Sequence, residues 1–193
     1  ETLQVMNTLQ PGLCVLGTRL PGCFNVFEMS VRAVLGQQIT VKAASTLAAR
    51  LVAVYGTQVQ TGIEGLTHSF PAPAAILALG ENISEHLGKL GIISARANTI
   101  YQLARVLADE KNDFGFCGNP EEEMQKLQAI RGIGSWTAQY IAMRAMGWPD
   151  AFLPTDAGIK KALPDHTPKE LQVLSEAWRP WRSYATVNLW NTL

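Results

Sequence analysis

The fold is decided by the stretch Leu127-Gln128-Ala129-Ile130-Arg131-Gly132-Ile133-Gly134-Ser135-Trp136-Thr137-Ala138-Gln139-Tyr140, in which one helix ends and another begins. Gly132 and Gly134 frame a turn with little side-chain bulk, so a phosphate group can approach backbone N–H groups there. Those groups also lie at the positive end of the helix that begins near Ser135. Without other motifs, the same glycines are more typical of an ordinary helix stop.

The composition predicts a folded chain with a sizeable core. The sequence is 47% hydrophobic and 17% charged, which is typical of a folded protein. Its length of 193 residues is compatible with one domain or with two small lobes. The net charge is zero, which argues against a non-specific nucleic-acid coat. From Lys126 to Pro149 the only charged residues are the basic Lys126, Arg131 and Arg144, whereas acids cluster at 121–123. This segregation is compatible with one DNA-binding face and equally with a solvated surface.

The sequence contains no signal peptide and no apolar run of the roughly 18 residues that a membrane span needs. Cys14, Cys23 and Cys117 lack the spacing of a zinc site or an iron–sulfur cluster. We therefore expect a reduced, cytoplasmic, nucleoid-associated protein without membrane contact. Because Glu1 is not an initiator Met, we also expect a fragment of a longer polypeptide.

Apolar residues recur at three- and four-residue intervals through most of the chain, which predicts an all-α fold. Loops are predicted at Thr57–Pro73 and Asp109–Asn119, where Gly, Pro and polar residues accumulate. Thr167 and Glu170 have the spacing of a capping box at the start of another helix. The remaining helices are predicted at Phe24–Gln38, Val41–Tyr55, Pro73–Leu79, Ile83–Leu87, Ile93–Leu107, Asn119–Ile130, Ser135–Met146 and Tyr184–Trp190.

Several motifs occur in the order of one known family. After the glycine hairpin come Trp136-Thr137-Ala138, then Phe152-Leu153-Pro154-Thr155-Asp156, then Trp178-Arg179-Pro180-Trp181-Arg182-Ser183-Tyr184. With the early Gly36-Gln37, they resemble the helix-hairpin-helix DNA glycosylase superfamily, and within it the bacterial alkylpurine (3-methyladenine DNA glycosylase II) branch. The resemblance runs from about Phe24 to Leu193.

The resemblance implies a two-lobed helical bundle with a cleft between the lobes. We expect one lobe at 31–148, carrying the helix-hairpin-helix, and a second lobe formed by 1–30 with 149–193. Members of the family have a further N-terminal domain, for which this sequence has no counterpart. The partner implied is double-stranded DNA with damaged bases, bound by a monomer through Gly132, Ile133 and Gly134.

By the same resemblance, Asp156 is the catalytic residue. Cleavage of an N-glycosidic bond creates positive charge on the sugar, which a fixed carboxylate stabilises. The carboxylate can also orient or activate the attacking water. Thr155 or Asp156 could also simply cap a helix beginning at Ala157, and the capping and catalytic roles can coexist.

The position of Trp136 bears on the type of reaction. In strand-cutting relatives a lysine stands two places after the last hairpin glycine and attacks the sugar covalently. An indole cannot form a Schiff base, so a monofunctional enzyme without lyase activity is expected. The only alternative class that we retain is a non-enzymatic helix-hairpin-helix DNA-binding module, which would need neither Asp156 nor an aromatic pocket.

Trp136, Tyr140 and Trp190 match aromatic base-pocket positions of the family. A base rotated out of the duplex can stack there, and an electron-rich ring favours a cationic alkylated purine. Such a base is already a good leaving group, so no general acid is required. Aromatic residues at helical spacing can equally be core residues, the reading that we favour for Trp178 and Trp181.

Two positions depart from the family, and one expected ion rests on it alone. Ala157 replaces a tyrosine beside the catalytic aspartate, which predicts a more open pocket. Gln38 stands where a relative inserts a leucine into the gap left by the flipped base; it could fill that gap or be a polar helix-end residue. No cofactor is expected for the chemistry, but family hairpins hold a structural Na⁺ or K⁺ through backbone carbonyls, here those of Gln128, Arg131 and Ile133.

Overall fold

The computed structural model describes residues 14–109 and 119–193, and its secondary structure is almost entirely helical, which confirms the all-α prediction. Cys117 and nearly all of the loop predicted at Asp109–Asn119 lie outside the described residues. The α-helices are α1 Val26–Leu35, α2 Val41–Tyr55, α3 Pro73–Leu77, α4 Ile83–Gly88, α5 Ser94–Leu107, α6 Pro120–Gln128, α7 Ser135–Arg144, α8 Ala157–Ala162, α9 Pro168–Ser175 and α10 Arg182–Trp190, with short 3₁₀ turns at Gly80–Asn82 and Glu176–Trp178.

Side-chain caps determine where several helices begin. Asn25 caps α1 by accepting from the Glu28 N–H, and Thr40 caps α2 by accepting from the Ala43 N–H. The prediction that this first helix starts at Phe24 is wrong, because the chain is not helical before the Asn25 cap and the Phe24 side chain is fully exposed. The capping box predicted at Thr167 is confirmed by reciprocal hydrogen bonds with Glu170.

The loop predicted at Thr57–Pro73 contains a short antiparallel pair. Strand β1, Thr57–Gln58, pairs with β2, His68–Ser69, so that Thr57 lies opposite Ser69. Two-residue strands carry no alternating pattern, which is why periodicity did not reveal them.

The chain divides into two compact units, with boundaries after Phe24, within α6 and before Gly134. Among the described residues, the first unit comprises 25–109 and 125–133, and the second comprises 14–24, 119–124 and 134–193. The family-based lobes at 31–148 and at 1–30 with 149–193 stay a prediction.

In the first unit, α5 is the central helix and packs against α1, α3 and α4. The helices of this unit and the connections between them supply fully buried apolar side chains, and this burial stabilises a helical bundle. The largest are Leu35, Leu51, Ile76, Leu87, Ile92, Ile100, Leu103 and Leu127.

In the second unit, α8 packs against α10. Its main core cluster includes Phe152, Ile159, Leu171, Trp178 and Leu189. Trp178 is 1% exposed, so the prediction that it is a core residue is confirmed. In neither described range is a helix long and apolar enough to cross a membrane.

Candidate active site

The hairpin, defined as Ile130–Gly134, connects α6 to α7 and is anchored by buried isoleucine side chains. Ile130 and Ile133 are buried, whereas Gly132 and Gly134 are exposed. Gly132 has φ +95°, a left-handed conformation that favours glycine. Gly134 is the N-cap of α7, whose first turn contains no acidic residue. An exposed helix N-terminus flanked by exposed glycines is suited to an anion.

Two side chains of the first unit brace the hairpin. The Thr99 hydroxyl lies 3.0 Å from the Arg131 carbonyl oxygen, and the Gln37 amide donates to the Gly132 carbonyl at 2.9 Å. A Cβ atom placed on Gly132 would lie only 2.0 Å from Thr99 Oγ1. Gly132 is therefore required both by its backbone angle and by the side chain packed against it. Sequence reasoning missed Thr99, since nothing in the local pattern pairs it with residues near 131.

Gln38 lies in the same unit, directly after a residue that is tied to the hairpin. Its side chain is exposed and its backbone has φ +56°, the one positive φ at a non-glycine among the described residues. The Arg96 guanidinium donates to the Gln37 carbonyl and so fixes the peptide that leads into this conformation. Since α1 ends at Leu35, Gln38 belongs to the connection between helices and not to a helix end.

Of the two caps that the sequence left open, Thr155 and Asp156, the structure has Asp156 as the N-cap of α8. Its Oδ1 accepts from the backbone N–H groups of Gly158 at 2.8 Å and Ile159 at 3.1 Å. The Trp190 indole donates to the same oxygen at 2.8 Å, and the Trp136 indole donates to Oδ2 at 3.0 Å. Four donors converge on one half-buried side chain, a pattern that an ionised carboxylate satisfies because it carries acceptors only.

The two oxygens of Asp156 are not equivalent. Oδ1 accepts three hydrogen bonds, whereas Oδ2 accepts the one from Trp136. A carboxylate has about four acceptor positions over its two oxygens. Oδ2 therefore retains more acceptor capacity and is the oxygen that can receive a water molecule or face a developing positive charge.

The three predicted pocket aromatics lie together. Trp136 and Tyr140 are stacked with ring centroids 5.2 Å apart and planes 9° apart, and Tyr140 lies 6.2 Å from Trp190 at a tilt of 49°. Arg144 continues the row, with its guanidinium carbon 5.9 Å from the Tyr140 ring centre. Residues four apart share one helix face, so Trp136, Tyr140 and Arg144 form a ladder along α7. Trp136 is the end of that ladder and is half-buried.

A buried polar network anchors the segment before Asp156. Arg182 pairs with both Asp150 oxygens, at 2.8 and 2.9 Å, and both side chains are less than a tenth exposed. The Ser183 hydroxyl accepts from the Ala151 N–H at 3.0 Å and donates to the Trp148 carbonyl at 2.7 Å. Arg182 and Ser183 thus connect the start of α10 to the segment 148–151, which precedes Asp156. The same helix ends at Trp190. Arg182 and Ser183 belong to a motif of the sequence, but the sequence did not reveal their partners.

The monovalent-cation site expected at the backbone carbonyls of Gln128, Arg131 and Ile133 stays a prediction. The Arg131 carbonyl faces the Thr99 hydroxyl at 3.0 Å. A carbonyl oxygen has two lone pairs, so this contact is compatible with a cation on the Arg131 oxygen. Arg131 and Gln128 are exposed, whereas Ile133 is buried.

The chain belongs to the HhH-GPD superfamily of base excision DNA repair proteins, whose family model matches residues 31–182. It is 38% identical over 176 residues to DNA-3-methyladenine glycosylase 2 of Escherichia coli (strain K12), covering 91% of this chain and 61% of that protein. It is 42% identical over 182 residues to a Mycobacterium tuberculosis (strain CDC 1551 / Oshkosh) protein named "Probable bifunctional transcriptional activator/DNA repair enzyme AlkA", covering 92% of this chain and 35% of that protein.

A solved structure with the same fold is the 3-methyladenine DNA-glycosylase from Archaeoglobus fulgidus. The TM-score is 0.74 at 25% identity, covering 88% of this chain and 58% of that one. The family resemblance carried by the sequence motifs is confirmed. The chain spans less than two thirds of the length of these relatives, at 61%, 35% and 58%.

Proposed function

We propose that this chain is a monofunctional DNA glycosylase that hydrolyses the N-glycosidic bond of alkylated purines in duplex DNA and leaves an abasic site. The observation that carries the proposal is the Asp156 carboxylate, held by two backbone and two indole N–H groups beside an aromatic ladder. Membership of a base excision repair family and the printed name of the E. coli relative support the same reaction.

The proposed chemistry needs little more than a fixed negative charge. As the bond to the base breaks, positive charge develops on the sugar, and Asp156 stabilises it without first having to reorient. Oδ2, which has the spare acceptor capacity, accepts a hydrogen bond from the O–H of the attacking water and orients that water toward the sugar carbon. The water forms the new carbon–oxygen bond, the purine leaves with the bonding electron pair, and the water's proton passes to solvent.

Trp136 is proposed to receive the extruded base. One face of its ring is stacked on Tyr140, so the base would use the other face. An indole attracts a cationic ring by cation–π interaction, worth about 0.5–2 kcal/mol, which favours an alkylated purine over a neutral one. Tyr140 contacts Trp136 on one side and Arg144 on the other along α7, so its part is to support Trp136. The exposed Ala157 leaves the neighbouring space open.

The hairpin and Gln38 are proposed to bind the DNA itself. A strand phosphate would approach the backbone at Gly132, Ile133 and Gly134, where α7 presents its positive end. The exposed Gln38 would occupy the gap left by the flipped nucleotide and hydrogen-bond to the orphaned base.

The decisive experiment replaces Asp156 with asparagine. Asn is as good an N-cap as Asp, so Asp156→Asn keeps α8 but removes the charge. Base release from methylated duplex, measured in single turnover, should fall about 10²-fold or more, the usual size of a lost electrostatic stabiliser. The matched control is Asp165→Asn, which removes the same charge from an exposed residue beyond α8 and should keep the wild-type rate.

Two results would overturn the proposal. If Asp156→Asn releases bases at the wild-type rate, this carboxylate does not perform the chemistry. If the wild-type chain binds duplex DNA but releases no damaged base, the chain is a helix-hairpin-helix binding module.

Monofunctionality has a separate test. The Trp136 indole nitrogen donates to Asp156 and is no nucleophile, so no Schiff base should form at this position. Borohydride added during turnover should trap no covalent protein–DNA adduct, and abasic product strands should stay intact until heated in alkali. A trapped adduct would show lyase chemistry.

A further inference from the structure

We propose that Gly158 is a positioning residue for this reaction: the absence of a side chain there lets the Trp190 indole N–H reach Asp156 and hold the carboxylate in one orientation. The inference rests on the proposed function and extends it to a residue that the family motifs do not include.

The space beside Gly158 is filled by Trp190. A Cβ atom on Gly158 would lie 2.7 Å from Trp190 Cδ1, 2.9 Å from Trp190 Nε1 and 3.0 Å from Asp156 Oδ1. Carbon atoms in van der Waals contact lie about 3.5–4.0 Å apart, so the indole could not keep its place beside an alanine. The atom in closest conflict is next to the nitrogen that donates to Asp156 at 2.8 Å.

Backbone conformation does not explain the glycine. Gly158 lies in the first turn of α8 and is absent from the glycines with positive φ. In a helix, alanine is preferred over glycine by about 1 kcal/mol. Gly158 therefore weakens α8, and the close approach of the indole is the feature of the structure that requires it.

The indole has little freedom to yield without losing the contact. Trp190 is the last residue of α10, directly after the buried Leu189, and its ring packs against the main core cluster and Tyr140. A displaced ring would leave Oδ1 with its two backbone donors and Oδ2 with Trp136, so the orientation of the carboxylate would be less tightly fixed. Displacement of a catalytic group by about 1 Å can cost on the order of 10²-fold in rate.

The test compares Gly158→Ala with Gly88→Ala. Gly88 is the last residue of α4, also has an ordinary helical backbone and has open space where the Cβ would be. Gly158→Ala should lower the single-turnover rate of base release about tenfold or more while leaving the affinity for methylated duplex unchanged, because the hairpin is untouched. Gly88→Ala should match the wild type in both. Thermal melting followed by far-UV circular dichroism should show both variants folded.

A double variant separates this role from a general effect on folding. Trp190→Phe removes the indole N–H, so adding Gly158→Ala to it should cost little further rate. The two substitutions are then strongly non-additive, as expected for two residues that act through one contact. If their effects on the rate multiply instead, Gly158 does not act through Trp190 and the inference is wrong.

The contact itself can be observed without activity. The Trp190 indole ¹H–¹⁵N resonance, assigned by its loss in Trp190→Phe, should shift in Gly158→Ala and stay in place in Gly88→Ala. An unshifted resonance together with a wild-type rate overturns the inference. If the wild-type chain releases no base, the proposed function fails and the positioning role with it, whereas the indole resonance still reports whether Gly158 makes room for Trp190.

Discussion

Gly132 is the residue at which the hairpin packs most tightly against Thr99. Replacement by alanine adds a Cβ within 2.0 Å of Thr99 Oγ1 at a backbone angle of +95°. We expect Gly132→Ala to lower the free energy of unfolding by about 2–4 kcal/mol, the sum of left-handed strain and overpacking. Urea unfolding measures this, and DNA affinity should fall with it.

Gly62→Ala is the control for that substitution. Gly62 also has a positive φ, of +70°, but nothing would lie near its Cβ. It should lose only the strain, about 1 kcal/mol. Equal losses in the two variants would mean that Thr99 yields freely and does not brace the hairpin.

Two substitutions of Gln38 separate the effect of its backbone strain on stability from the effect of its side chain on activity. A non-glycine residue at φ +56° is strained, and such residues concentrate at functional sites. Gln38→Gly relieves the strain and Gln38→Ala keeps it, so the glycine variant should be more stable by about 1 kcal/mol in urea unfolding.

Both Gln38 variants lack the side chain that is proposed to fill the gap in the duplex. Base release should therefore fall to a similar extent in both, although their stabilities differ. If activity follows stability instead, or if neither variant loses activity, Gln38 is a polar linker residue with no part in base flipping.

At the scale of elements, the capping box of α9 links helix stability to pH. The Thr167 backbone N–H and hydroxyl donate to the Glu170 carboxylate and lower its pKa. A carboxyl whose pKa is lower in the folded state stabilises the fold above its unfolded value of about 4.3, and this contribution is lost as pH falls through the folded value.

Glu170→Gln should therefore lower the urea midpoint at pH 7, and the difference from the wild type should shrink as the pH falls below about 4. Glu64→Gln, at an exposed glutamate of the loop after β1, supplies the comparison for loss of one charge. A deficit of the Glu170 variant that is constant from pH 7 to acid would show that the carboxylate's charge is not what stabilises the cap.

Helix positions could be predicted from the sequence because caps and periodicity are local. The bounds of α2 match the prediction at both ends, and the Thr167 cap of α9 was visible in four consecutive residues. The first helix was predicted two residues too early, since Phe24 fits the apolar spacing although the chain is not yet helical there. The pair β1–β2 has only two residues in each strand, too few to show an alternating pattern in the sequence.

At the scale of the whole molecule, the Asp150–Arg182 pair holds a large part of the second unit together. Both groups are buried, and Arg182 donates to both Asp150 oxygens, whereas the more exposed Arg179 contacts only Oδ2. We expect Arg182→Leu to lower the free energy of unfolding by about 3 kcal/mol, the lower end of the penalty for breaking a buried ion pair, because Arg179 still contacts one Asp150 oxygen. Chemical denaturation measures this loss.

Arg179→Leu is the matched variant, because Arg179 contacts the same carboxylate at 2.5 Å but is 46% exposed. It should cost less than about 1 kcal/mol, since water screens exposed pairs. A small loss in Arg182→Leu as well would mean that Asp150 can be satisfied by other donors.

The candidate site could be predicted only in part. Asp156, Trp136, Tyr140 and Trp190 were identified by resemblance, and the structure brings these four side chains into contact. The contacts of Thr99, Gly158 and Asp150 could not be predicted from the sequence, because each depends on a partner distant in sequence. The orientation of two indole N–H groups toward one carboxylate is likewise a property of tertiary packing.

The double duty of Asp156, as the cap of α8 and as the proposed catalytic group, limits how this protein can change over evolutionary time. Most replacements would lose the helix cap together with the reaction. Asparagine alone keeps the size and the cap while discarding the charge, and both aspartate codons reach it by a single G-to-A transition. If Asp156 is catalytic as proposed, one such point mutation would leave a folded chain that no longer hydrolyses the N-glycosidic bond, and asparagine at this position would mark relatives that have lost the reaction.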